Sequence, residues 1–413
     1  MNNSTDILVT GVGAISPLGF TPDLIWEGLL SGIPCFKKIS RFDSAPYYSH
    51  LAGEITDFSI GDFIRNPKYL RLPKVSQFAL VSADLALKDS GINMRKTDPT
   101  RIGIFFGTSN GPSYSTQSIY NTLITKGPKS VDSLLFQETV FNASASHISI
   151  YLGIKGPTLA LPMGLVSGGH AIDFALSMIK SGKIDCALVG AADEHTEVVH
   201  AGFSYLNVLA GNKGATEIVC PFDKRRNGLI LSEGAGFLIL ETRAHFESRQ
   251  PSSKAPYAQV LSNSLRSDAY NAIDLCRDGS GIAAAMTASI DRAGLTADSI
   301  DGIVGFAPSH PALDLSEAKA IQAVFKNKEC PPVTSIKGVL GESMGASPLF
   351  NILTMLYIFK TGTIPGTANY QSSETEINLP IISKNTAKQC KILMTPYYYF
   401  GGLCGSLVLK KEA

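Results

Sequence analysis

The stretch LALPMGLVSGGHAID, residues 159–173, decides how the chain is read. An apolar, β-type run from Thr158 to Leu161 stops at Pro162. The small residues Gly164, Ser167, Gly168 and Gly169 then turn the chain into an apolar helix, Ala171 to Ile179. Strand, tight elbow and helix in that order present one side chain at a positively polarised helix N-terminus. Here that side chain is Leu165. The pattern builds a nucleophile's pedestal and places a hydrocarbon on it.

Working outward, strands and helices alternate on both sides of the elbow. ILVTGVGAIS (7–16) reads as a buried strand and DLIWEGLLSG (23–32) as a helix stopped by glycine. SQFALVSADLALKDSG (76–91) has helical spacing, RIGIFFGTS (101–109) is a short buried strand, and DCALVGAADE (185–194) is the strand after the elbow helix. The segment 220–249 reads as a turn followed by a strand pair joined through Glu233–Gly236. RQPSSKAP (249–256) is the most polar, Pro-rich stretch, so we expect two halves there, 1–250 and 251–413. Strands at YAQVLSNSLRS, IDGIVGFAP, CKILMTPYYY and GSLVLKK then alternate with helices at IAAAMTASIDRAG, SEAKAIQAVF and LFNILTMLYIFKTG. This alternation predicts a layered α/β protein with buried sheets.

The bulk properties suit that architecture. Of 413 residues, 44% are hydrophobic and only 17% charged, which allows a large buried core. A net charge of +1 leaves no electrostatic footprint for nucleic acid or an anionic membrane. Seven scattered cysteines without a C-x-x-C pair argue against disulfides or zinc. No apolar run approaches the roughly 20 residues of a membrane span. The expectation is a cytoplasmic protein with no membrane segment, no cofactor and no metal.

Four segments together resemble the β-ketoacyl synthases of the thiolase fold: VTGVGAISPLG, the GPTLAL…SGGHAI elbow, PFDKRRNGLILSEGAGFLILE and FGGLCGSLVL. The resemblance runs nearly end to end. It implies duplicated βαβαβαββ halves in a five-layer αβαβα sandwich, dimeric through the sheet edge and elbow. It also implies a cysteine at the elbow and two histidines from the second half. A thiolate takes the acyl chain from a carrier, and two imidazoles assist malonyl decarboxylation and hold the enolate oxygen. The matching positions in this chain are Leu165, Phe306 (in GFAPSHP) and Glu342 (in SIKGVLGESMGA). An ionised Glu342 about 4 Å from a malonyl carboxylate would repel it by about 4 kcal/mol at an effective dielectric near 20.

On that basis the resemblance narrows to the chain-length factor, the ketosynthase β subunit of bacterial type II polyketide synthases. The family usually carries glutamine where Leu165 stands. The implied role is no enzyme by itself: the subunit would pair with a catalytic ketosynthase α subunit and shape the tunnel for a chain built from malonyl units on an acyl carrier protein. Aryl polyene assembly lines use such a pair too. Carried over by position, the tunnel gates are Pro112, Ser115 and Ile119, with Tyr114 nearby and Phe136 at the interface. The small gates suggest room for a fairly long chain. Lys337, Phe400, His170, Asp314 and Glu317 match the remaining active-site shell, and Lys337 could pair with Glu342.

Other residues have plainer expectations. His170 reads as structural, His195 and His200 as solvated, and Lys224, Arg225 and Arg226 as a solvated turn or a contact for an acidic carrier. His310 is the one histidine near the lost first-histidine motif. The rival readings are a stand-alone acyltransferase or thioesterase using Ser167 or Cys404, and a protein that sequesters acyl thioesters.

Overall fold

A computed structural model describes residues 6–249, 255–326 and 328–412. Among them, ten strands form one mixed sheet: β1 (Ile7–Ile15), β2 (Ile102–Thr108), β3 (Thr158–Pro162), β4 (Cys186–Asp193), β5 (Gly234–Thr242), β6 (Ala258–Ser267), β7 (Gly302–Val304), β8 (Val333–Thr334), β9 (Ile392–Tyr398) and β10 (Leu403–Lys411). Their order is β8-β7-β9-β10-β6-β1-β5-β4-β2-β3. Outward from the central β1–β6 pair, both directions run first, fifth, fourth, second, third strand. In each half the fifth strand is antiparallel to its neighbours and the outer pairs are parallel. The same topology is built twice.

The principal helices are α1 (Pro22–Ser31), α2 (Lys74–Ser90), α3 (Ser113–Lys126), α4 (Ala143–Leu152), α5 (Ser167–Lys180), α6 (Glu197–Tyr205), α7 (Ser280–Arg292), α8 (Pro311–Val324) and α9 (Ser347–Thr361). On the outer faces, α2 and α4 cover the first half, and α7 covers the second with α8 packed beside it. Between the two half-sheets lie α5 and α9, giving the five-layer αβαβα sandwich of the thiolase fold. α9 is buried on every side from Ser347 to Phe359, as an all-round apolar helix must be. It meets α5 at Gly168, where an added Cβ would lie 2.0 Å from Leu349 Cδ2.

Two local expectations need correction. Residues 220–249 hold β5 but no strand pair: Leu229, Leu231 and Ser232 make single bridges to Leu209, Glu342 and Gly53. The backbone there stitches separate segments together, and the Glu233 carboxylate accepts the amides of Ile55 (2.6 Å) and His195 (3.0 Å). The second correction concerns β7, which spans only three residues of its apolar run. Of the polar linker 249–256, residues 250–254 lie outside the described residues. Among the described residues no helix is long and apolar enough to cross a membrane.

Candidate active site

The elbow forms as its small residues dictate. Gly164 adopts φ +64°, a conformation open to glycine, and starts a 3-10 turn, Gly164–Val166, that feeds α5. Leu165, at that turn, is buried. Ser167 Oγ accepts the Met163 amide (2.8 Å) and lies 2.6 Å from Gly164 O and 2.8 Å from Thr108 O, so its hydroxyl serves the turn. His170 Nδ1 lies 3.2 Å from Val166 O, and burial holds this imidazole's pKa below its ordinary value. Cys404 is buried with its thiol pushed up to about 12 by desolvation. Neither Ser167 nor Cys404 presents a nucleophile.

The turn Met344–Ala346 brings the second half against the elbow. Just before it, Glu342 Oε2 lies 3.0 Å from Lys337 Nζ, and Lys337 Nζ lies 2.6 Å from Ser347 Oγ. Ser347 Oγ also donates to the other Glu342 oxygen, and the Phe306 ring centroid stands 4.4 Å from the ammonium. Burial lowers the Lys337 pKa, while Glu342 opposes that shift. Lys337 and Glu342 thus form one buried ion pair capped by the Phe306 ring.

Asp314 and Glu317 hold backbone beneath this pair. Asp314 accepts the amides of Phe222 (2.8 Å) and His310 (3.1 Å). Glu317 accepts those of Phe306 (3.0 Å) and Ala307 (2.7 Å) and the Tyr398 hydroxyl (2.7 Å). Burial pushes both carboxyls up to about 7 against these hydrogen bonds. Phe400 packs on Tyr399 and His310, at centroid distances of 5.5 and 5.7 Å, beside Gly401 and Gly402 at φ +91° and +77°. Burial lowers His310 to about 4, and its ring accepts the Leu313 amide as the cap of α8.

Sequence reasoning passed over Asp193 and Glu194, although two consecutive carboxylates closing an apolar strand were a readable signal. Asp193 accepts the Thr108 hydroxyl and the amides of Ser109, Asn110 and Gly345, at 2.8–3.0 Å. Glu194 accepts the Val75 amide (3.3 Å) and the Tyr114 amide (2.9 Å), at the starts of α2 and α3. Burial raises them to about 6 and about 7 respectively. With Asp193 holding those loop amides, α3 begins at Ser113.

A cavity of about 810 Å³ opens between α3 and α6, with Pro112, Phe141, Val199, Gly202, Phe203 and Tyr399 among its walls. An added Cβ at Gly164 would meet the ring of this same Tyr399, so the cavity adjoins the elbow. Of the expected gates, Pro112 lines it. Ser115 is buried away from it, Ile119 is half-buried, and Tyr114 and Phe136 are exposed. The lining face of α3 is Ser113, Thr116, Gln117 and Tyr120, on one helical stripe. Ser115, Ile119, Tyr114 and Phe136 are not among the walls of this cavity.

One further expectation fails, and another holds only in part. His195 and His200 are buried, not solvated: His195 Nε2 and His200 Nδ1 lie 3.2 Å apart, with the Phe42 ring packed on both. Arg226 is internal, paired with Glu374, and Arg225 pairs with Asp223 at 2.8 Å. Lys224 and Arg225 nevertheless stay exposed on the turn, as expected, and only Arg226 is drawn inside. Among the described residues, no group of three or more His, Cys, Asp or Glu side chains is gathered as a metal site requires.

Comparison with known proteins gives a consistent picture. Models described as the β-ketoacyl synthase N-terminal and C-terminal domains match residues 4–245 and 257–371. The chain is 30% identical over 415 residues to the 3-oxoacyl-[acyl-carrier-protein] synthase 2 of Staphylococcus aureus (strain COL), covering 100% of this chain and 99% of that protein. A solved structure described as the ishigamide ketosynthase/chain length factor superposes with TM-score 0.92 at 26% identity, covering 99% of each chain. Another, a type II PKS acyl-carrier protein in complex with its ketosynthase (AntDE:AntF), gives 0.90 at 22% identity with the same coverage; that likeness speaks for the fold. The expectation that this chain is no enzyme by itself is overturned here, because the curated relatives that match it end to end are named as synthases.

Proposed function

This chain belongs to the β-ketoacyl synthase family, and from that premise we propose that it acts as the chain-length factor of a two-chain condensing enzyme in a type II polyketide-like pathway. The partner is a homologous ketosynthase with a cysteine at its elbow, and the extender units arrive on an acyl carrier protein. This chain supplies half of the dimer and a wall of the tunnel into which the product grows.

The observation that carries the reading is the open apolar edge beside the Leu165 elbow. β3 ends the sheet with its outer side unpaired, and its Leu159 is exposed. Such an edge is a template for a further strand. The helices packed on it, α4 and α5, expose Ile150 (61%) and Phe174 (45%). A homologous chain carrying the same edge fits this surface, and the ketosynthase/chain-length-factor likeness supports that occupant. Pairing would bring the partner's cysteine to the tunnel while Leu165 keeps this chain's own elbow apolar.

The test is product length. Gly202 faces the cavity, and a Cβ there meets no heavy atom within 4 Å. In the reconstituted pair, Gly202→Phe is expected to shorten the product. Unchanged length would count against the tunnel role.

A further inference from the structure

Two histidines at the start of α6 form a buried chain with Glu54 that condensation does not use. The His195 side chain is fully buried and that of Glu54 is 5% exposed. His200 Nε2 lies 3.0 Å from Ser49 O, a pure acceptor, so that nitrogen carries hydrogen. Burial and the neighbouring His195 lower His200 to about 4, which leaves its Nδ1 bare and accepting at neutral pH. His195 Nε2, 3.2 Å away, is therefore the donor. A neutral His195 would then turn the lone pair of Nδ1 toward Glu54 Oε1, 3.8 Å away, and neither atom has a hydrogen-bond partner. Burial pushes the Glu54 carboxyl up, but hydrogen bonds from His195 and Ser40 outweigh it and hold it at about 2. Glu54 brings no proton of its own, so two acceptors would face each other in a dry interior.

The charges around the ring leave room for one more cation. Arg41 pairs with Glu233, which accepts the His195 amide, and Arg41 Nη1 lies 3.4 Å from His195 O. Lys74 reaches Ile55 O at 3.3 Å, and burial pushes Glu194 up to about 7. Glu197 faces the Tyr47 hydroxyl, His50 pairs with Glu217, and α3 adds Tyr114 and Lys126 to the cleft that His195 lines. Arg41 and Lys74 thus answer Glu233 and an ionised Glu194, and Glu54 is left for His195.

We propose that His195 is held as a buried imidazolium, ion-paired with Glu54 and donating to His200, and that this one proton latches the 40–55 segment to α6. With the proton, Glu54, His195, His200 and Ser49 O alternate donor and acceptor without a break. Without it, attraction becomes repulsion between a lone pair and a carboxylate. The latch is closed at low pH and slackens as pH rises. α6 carries Val199, Gly202 and Phe203 of the cavity wall, so the latch sets that wall whatever the cavity holds.

Ring-nitrogen NMR of the chain labelled with 15N-histidine, in complex with its ketosynthase where the two copurify, tests this against Glu54→Gln. That variant keeps the shape of the site: its oxygen can retain the Ser40 bonds while its amide donates to a neutral His195 Nδ1. At about pH 7 the expected result is one wild-type ring with hydrogen on both nitrogens that gains a bare nitrogen in Glu54→Gln. Hydrogen-exchange protection across 197–205, corrected for intrinsic rates, should fall about tenfold between about pH 6 and pH 9 in the wild type and hold in the variant. The variant is the reference because Glu194 titrates in both proteins. If no doubly protonated ring responds to Glu54→Gln, the imidazolium is overturned. If such a ring responds but protection changes equally in both proteins, the latch is overturned.

Discussion

Gly345 and Asp193 stand 152 positions apart in the chain and meet in a 2.8 Å hydrogen bond, the Gly345 amide donating to Asp193 Oδ2. The same carboxylate holds the amides of Ser109 and Asn110. One side chain at the end of β4 therefore fixes both the loop that enters α3 and the turn that follows Glu342. Asp193→Ala leaves three backbone donors without their acceptor, at about 1–3 kcal/mol for each buried unpaired group. Urea unfolding is expected to show a loss of at least about 3 kcal/mol. A variant as stable as the wild type would remove Asp193 from this role.

The Lys337–Glu342 pair gives a second expectation. Removing one partner of a buried ion pair strands the other charge, typically at a cost of about 3–5 kcal/mol. Lys337→Met and Glu342→Leu should each destabilise by that order. The double variant should be less destabilised than the sum of the singles, because neither charge is then left alone in the core. Additive losses in denaturant unfolding would mean that the two side chains do not interact.

Glu317 sets a pH dependence. Its folded pKa of about 7 stands above the ordinary 4.5 because burial disfavours the anion. The native state therefore holds this proton longer than the unfolded chain does. The resulting stabilisation is complete below about pH 4.5 and drains away as pH rises through 7, with a slope of up to about 1.4 kcal/mol per pH unit. Glu317→Gln removes the titration. Between pH 4.5 and 7.5 the wild type should lose stability relative to this variant, read from urea midpoints at each pH. A difference that stays constant with pH would contradict the assignment.

Ser115 on α3 and Gly202 on α6 stand in different relations to the cavity. Ser115 is fully buried, so Ser115→Trp should overpack the interior by about 1–3 kcal/mol without selectively shortening the product. Gly202→Phe should shorten the product at little cost in stability, since the space beside it is open. A shorter product from Ser115→Trp in a stable, active pair would restore Ser115 as a gate.

How far the residues foretold this arrangement depends on the kind of information required. The elbow was legible because Pro162, Gly164 and the small residues after it fix local backbone geometry. The helical run of α9 was legible from its apolar residues, whereas its burial on every side emerges only from the packing. Motif matching numbered Leu165, Phe306 and Glu342 and anticipated that Lys337 meets Glu342. Side-chain direction was not legible: Ser115 and Thr116 are neighbours in sequence, yet only Thr116 faces the cavity. Long-range partners were hidden for the same reason, as with Asp193, whose meaning lies in amides from two other segments. His195 and His200 looked solvated because nothing local announces that Phe42 covers them.

The central claim, that the chain is one half of a condensing pair, is tested most directly by native mass measurement of the tagged chain coexpressed with a homologous ketosynthase that carries a cysteine at its elbow. The account expects a one-to-one complex that condenses malonyl units, with the acyl chain on the ketosynthase cysteine. A homodimer of this chain, with no complex formed between it and the coexpressed ketosynthase, would contradict it.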